Sequence, residues 1–254
     1  VAAGPDAVVH LAGQSSAALS YQDAVATFRS NAIGTWNVLE AARLVSPNAR
    51  ILVVGTGESY GPQPEGTRVL EDAPFRPVSP YGLSKAAADA FGEIAFRSHG
   101  LDVVRTRSFA HTGPGQSSRF ALPSFAQQIA EIEARIGEPV MRVGNLDVTR
   151  DIADVRDIAE AYVALIERGR AGAAYNVCSG RAVRLADLAD GLAARARIAV
   201  RVEVDPRRFR PADVPYLVGD PSAIERDCGW RAARPLESTL DDLLSEWRTA
   251  GTGG

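Results

Sequence analysis

The chain has 254 residues, 46% of them hydrophobic and 23% charged, the proportions of a globular protein able to bury one good core. A formal net charge of -3 and a pI of about 5.7 argue against a broad nucleic-acid or anionic-membrane surface, and no apolar run reaches the roughly 20 residues of a membrane span. Cys178 and Cys228 lie far apart without metal-ligand spacing, which predicts reduced thiols in a cytoplasmic protein and no metal centre.

The first strand pattern covers residues 6–12 and runs into His10-Leu11-Ala12-Gly13, and a helical pattern over 23–44 follows. A strand over 50–55 leads into Thr56-Gly57-Glu58, then a Pro- and Gly-rich loop over 61–80, then a helix over 81–98. Beyond it come strands over 101–107, 140–143, 174–178 and 200–204, with helices over 124–136, 155–168 and 185–196. Short, β-branched, unalternating strands separated by helices predict an α/β fold with a doubly wound parallel sheet covered on both faces. In such sheets ligands collect beyond the carboxyl ends of the strands. A dinucleotide fold opens with a strand, a glycine-rich turn and a helix, yet no such turn precedes the first strand pattern here. Gly55-x-Gly57-x-x-x-Gly61 has the wrong spacing, and Pro62 prevents a helix from opening there. The sequence is therefore read as N-terminally truncated, with the first strands and the turn missing.

The chemistry concentrates in Ser79-Pro80-Tyr81-Gly82-Leu83-Ser84-Lys85. Ser79 can cap a helix whose first turn suits Pro80, and Tyr81 and Lys85, four apart, then share one face. Lys85 is the only lysine in a chain whose other basic side chains are arginine or histidine. An adjacent ammonium is expected to favour the phenolate and bring Tyr81 into acid/base range. Thr56, directly after a strand, can hydrogen-bond the same substrate oxygen as Tyr81, and Glu58 can serve as a base or as a ligand for a sugar hydroxyl.

Val9-His10-Leu11-Ala12-Gly13, Asn31-x-x-Gly34-Thr35 with Val38-Leu39-Glu40-Ala41-Ala42, Thr56-x-Glu58-x-Tyr60-Gly61 and Tyr81-x-x-x-Lys85 together resemble the extended short-chain dehydrogenase/reductases, the NAD-dependent epimerase/dehydratase family. The resemblance implies a partial Rossmann-like domain for NAD or NADP over 1–114 and 145–180. It also implies a smaller nucleotide-sugar lobe over 115–144 and 181–254. Tyr81 would be the acid/base at the sugar C4 oxygen, Thr56 would orient that oxygen, and Lys85 would hold the nicotinamide ribose. Leu11, Ala12 and Gly13 would line the cofactor together with Arg107, and Asn31 would support the lysine. A homodimer is a further family expectation.

Three more segments resemble the branch that acts on GDP-mannose derivatives: Arg107 to Gln116, Gly144-Asn145-Leu146-Asp147 with Arg150-Asp151, and Asp205-Pro206-Arg207 with Arg210, Pro211 and Asp213. They nominate His111, Gln116, Asn145, Arg150, Arg210 and Asp213 for a GDP-sugar, with arginines clamping the diphosphate and Asp213 accepting ribose hydroxyls. Glycine at position 57, where dehydratases of the branch carry Ser or Asp, favours a reductase of a GDP-4-keto-6-deoxyhexose. Glu58 keeps a GDP-mannose 4,6-dehydratase open, and a non-catalytic binding protein is a third reading. Ala110 stands where the family has an asparagine that contacts the sugar nucleotide, which predicts an altered sugar or pose.

Overall fold

The computed structural model describes residues 4–250. In chain order the elements begin with β1 (Ala7–His10), α1 (Ala17–Ser20), α2 (Ala24–Phe28), a π-helical turn (Arg29–Ile33) and α3 (Gly34–Val45). Next come β2 (Arg50–Thr56), a 3-10 turn (Gly57–Tyr60), α4 (Pro80–His99), β3 (Val103–Ser108), β4 (Ala110–Thr112) and α5 (Ala121–Glu133). The middle of the chain holds β5 (Val140–Val143), β6 (Thr149–Arg150), β7 (Ile152–Asp154), α6 (Val155–Arg168), β8 (Ala174–Val177) and β9 (Val183–Arg184). The last elements are α7 (Leu185–Ala194), β10 (Arg201–Val204), a 3-10 turn (Pro206–Arg208), β11 (Tyr216–Leu217), α8 (Ser222–Cys228) and α9 (Leu236–Ala250).

The central sheet is parallel, in the order β1-β2-β3-β8, with Val53 opposite His10 on one side and Arg105 on the other. Its strands are short and β-branched, and alternate residues of β2 serve two cores. Ile51 and Val53 pack with Leu39, Ala42, Ala95 and Leu101 under α3 and α4. Leu52 packs on the other face with Val104, Ile158, Leu165 and Ile224, under α6 and α8. Each such side chain contributes roughly 2 kcal/mol of burial. A third core joins α5, α7 and α9 to β5 through Ile129, Met141, Leu192 and Leu243.

Two expected sheet strands behave otherwise. β5 and β10 pair with each other in a separate parallel ribbon instead of extending the central sheet. The helix expected over 23–44 is continuous in course but not in geometry: Asp23 caps α2 through Ala26 N, and the π turn then inserts before α3. Cys178 and Cys228 are free and buried, and burial raises both thiols above their usual range. Among the described residues no helix is long and apolar enough to cross a membrane.

Candidate active site

Ser79 Oγ accepts the Gly82 N–H at 3.0 Å, Pro80 fills the first position of α4, and Gly100 closes the helix in the left-handed region. This fixes the start of α4 beside the carboxyl end of β2, with Tyr81 and Lys85 one turn apart. The Tyr81 side chain lies beside the Thr56 hydroxyl, whose oxygen accepts the Glu58 N–H at 3.3 Å. Burial, then the nearby Glu58 carboxylate, push the Tyr81 pKa above its ordinary value, so the phenol keeps its proton at neutral pH. That corrects the expectation that Lys85 would lower it. The Lys85 ammonium donates instead to the Val54 carbonyl at 2.9 Å, and burial brings its own pKa down to about 8. In a dry site both groups lean toward their neutral forms.

Gly13 brings the backbone after β1 against this lysine. A Cβ there would lie 2.6 Å from Asn31 Oδ1 and 3.7 Å from Lys85 Nζ, so a side chain is excluded. Leu11 is 63% exposed at the carboxyl end of β1, leaving that wall open to a ligand. Asn31, fully buried in the π turn, accepts the Gln14 N–H at 2.8 Å and donates to Gln14 O and to Ser84 Oγ, both at 2.9 Å. It supports α4 one residue before the lysine and does not bond Lys85 itself. His10 Nε2 donates to the Thr35 hydroxyl at 3.1 Å, which donates onward to the Asn31 carbonyl. The one hydrogen bond of Lys85 among the described residues is to Val54, so two ammonium donors remain beside a glycine-lined opening. These groups fit the ribose end of a nicotinamide cofactor.

A second group lies next to Thr56 and Tyr81. Glu58, Arg150, Arg210 and Asp213 line one small cleft with Ser79 and Val78. Arg210 lies 3.9 Å from Glu58, and Arg150 bonds Asp213 at 3.0 Å. Asn145 donates to the other Asp213 oxygen at 3.2 Å. Asp213, expected to face ribose hydroxyls, is thus engaged by two side chains of its own chain. Burial raises Glu58, opposed by Arg210 and then Arg150, while burial lowers Arg150. Tyr21, which sequence reasoning missed, donates to the Val78 carbonyl at 3.1 Å and feels the charges of Glu58, Arg210 and Asp213. No spacing marks it, because it stands alone in a polar turn before the Asp23 cap.

Three nominated residues lie elsewhere. Arg107 is buried, donating to Asp89 at 3.0 and 3.2 Å, to the Tyr60 hydroxyl at 2.9 Å and to the Glu71 carbonyl, with its guanidinium over the Tyr60 and Phe75 rings. It ties α4 to the loop after β2, and its expected place on the cofactor is corrected: its donors are committed to the interior. His111 Nδ1 donates to the Phe109 carbonyl at 3.0 Å, and burial lowers its pKa, which keeps it neutral. The Gln116 amide donates to His111 O at 3.1 Å and accepts from Thr112 at 2.7 Å. Both brace the 109–116 turn, and neither borders the Glu58 cleft.

A family model described as GDP-mannose 4,6 dehydratase matches residues 2–243. The GDP-6-deoxy-D-mannose reductase of Pseudomonas aeruginosa is 34% identical over 96% of this chain and 81% of its own length. A GDP-mannose 4,6-dehydratase of Vibrio cholerae is 28% identical over 95% of this chain and 71% of its own length. Among solved structures, RMD from Pseudomonas aeruginosa complexed with NADPH is similar with a TM-score of 0.91 at 32% identity, covering 98% of this chain and 83% of that one. The UDP-glucose 4-epimerase of Thermus thermophilus in complex with NAD follows at 0.87 and 28%, covering 97% and 78%.

Proposed function

The chain belongs to the GDP-mannose 4,6 dehydratase family of NAD(P)-dependent nucleotide-sugar enzymes, and from that membership we propose that it reduces a GDP-4-keto-6-deoxyhexose at sugar C4. The observation that carries this reading is the protonated Tyr81 phenol beside Thr56, with Lys85 one turn along the same helix. NAD or NADP supplies the hydride when bound; Lys85 would hold its ribose, and Leu11, Ala12 and Gly13 would line it. Tyr81 gives its proton to the C4 oxygen as negative charge develops there, and Thr56 donates a second hydrogen bond to the same oxygen. Asn145, Arg150, Arg210 and Asp213 form the GDP-sugar subsite. In this reading residues 1–114 and 145–180 carry the cofactor, and 115–144 and 181–254 carry the sugar nucleotide. Exposed Val25, Ile33, Leu83 and Ile94 on α2, the π turn and α4 support a homodimer.

Reduction is favoured over dehydration by Gly57. It offers no acid, and a Cβ there would come within 3.1 Å of the Phe109 ring. Glu58 beside the Tyr81–Thr56 pair is the observation that favours a 4,6-dehydratase as the second reading. GDP-4-keto-6-deoxymannose with NADPH or NADH should consume reduced cofactor, followed by its absorbance. Tyr81→Phe should lower that rate by about 10²- to 10⁴-fold while leaving GDP-sugar binding intact. Wild-type turnover in Tyr81→Phe ends the assignment. A 4-keto product from GDP-mannose without net cofactor consumption selects the dehydratase.

A further inference from the structure

The cationic side chains of the Glu58 cleft are held by the protein's own carboxylates, and the two pairs are built differently. Arg150 hydrogen-bonds Asp213 at 3.0 Å, and the second Asp213 oxygen is fixed by Asn145 at 3.2 Å. Arg210 meets Glu58 through a single contact of 3.9 Å, too long for a hydrogen bond, and its side chain is 40% exposed. Arg210 also comes from an irregular stretch after the Pro206–Arg208 turn, whereas Glu58 is fixed in the 3-10 turn behind β2. The arginine is the partner that can move. If it leaves, the groups facing Glu58 are Arg150, already paired, the Asp213 carboxylate, and the Tyr21 and Tyr81 phenols. None is a spare cation, and a half-buried carboxylate without a counter-ion is neutralised by a proton.

We propose that Arg210 serves two anions in turn, the Glu58 carboxylate in the ligand-free protein and the diphosphate of an incoming nucleotide sugar, so that nucleotide binding releases Glu58 from its cation and places a proton on it. The inference rests on the nucleotide-sugar reading above and adds a coupling to it. The diphosphate competes with Glu58 for one guanidinium, and Glu58 becomes a hydrogen-bond donor only when a sugar is present beside it. The proton comes from solvent, and no covalent bond is made or broken.

Calorimetric titration of the cofactor-free protein with GDP-mannose tests this, because a diphosphodiester has no proton of its own to exchange near neutrality. Repeating the titration at mildly acid pH in two buffers of different ionisation enthalpy gives the number of protons taken up. The wild type should take up a measurable fraction of a proton. Glu58→Gln, nearly isosteric, should take up none and bind GDP-mannose a few-fold more tightly, since the internal competitor has lost its charge. Arg210→Ala should lose both the uptake and much of the affinity. Equal affinity and equal proton uptake in the wild type and Glu58→Gln overturn the coupling and leave the nucleotide-sugar reading standing. No GDP-mannose binding by the wild type overturns both.

Discussion

The Lys85 ammonium has left water without gaining a carboxylate, which costs roughly 3 kcal/mol at neutral pH for a pKa brought from 10.5 to about 8. Since the folded value lies below the unfolded one, the unfolded chain binds the extra proton between about pH 8 and 10.5, and stability rises with pH across that window. Lys85→Met should therefore be more stable than the wild type at pH 7, by on the order of 1–3 kcal/mol, with the gap narrowing toward pH 10.5. Urea unfolding at the two pH values measures this. An unchanged or lower midpoint at pH 7 would mean that the bond to the Val54 carbonyl outweighs desolvation. The placing of Tyr81 and Lys85 one turn apart on a helix was legible, because spacing alone sets it. The direction of the Tyr81 shift was not legible, because burial sets it and the residue types do not. Arg107 misled for a related reason: the family resemblance implied a place on the cofactor, while Asp89 on α4, which engages it, is 18 residues away in sequence.

Helices with long periodic apolar faces were readable as elements, and α6 occurs where its pattern begins and ends. The helix over 23–44 was read as uniform, because a π turn inserts a residue without changing composition. That turn has a use: it directs Asn31 inward, where its amide joins the loop after β1 to α4 through Gln14 and Ser84. Asn31→Ala removes three hydrogen bonds and leaves buried partners unpaired, for an expected loss of about 2–4 kcal/mol. A thermal melt checks it, and a Tm within a degree or two of the wild type (roughly what ~0.5 kcal/mol produces) would show that the turn holds itself. Helix α9 escaped notice although Leu236, Leu240, Leu243, Leu244 and Trp247 follow helical spacing, so the signal was present. The two- and three-residue strands β4, β6, β7, β9 and β11 carry no period at all. Their partners are settled by where the larger elements leave the chain.

Across the molecule, distant segments are joined by buried carboxylates at a few points. Asp151, fully buried between β6 and β7, accepts Ser179 N and Gly180 N at 2.8 Å, Ser179 Oγ at 2.7 Å and Gly219 N at 3.4 Å. It gathers the end of the central sheet, the start of the loop into α7 and the approach to α8. Asp151→Ala orphans these donors and should lower stability by about 3 kcal/mol, read as a reduced denaturant midpoint at unchanged slope. A changed slope would point to a loss of cooperativity between the cores instead. The scarcity of lysine has a practical side at this scale. Isotope-enriched lysine would place a single label in the whole protein, at Nζ of the residue under the proposed ribose. One resonance would then report the arrival of each ligand without any assignment problem.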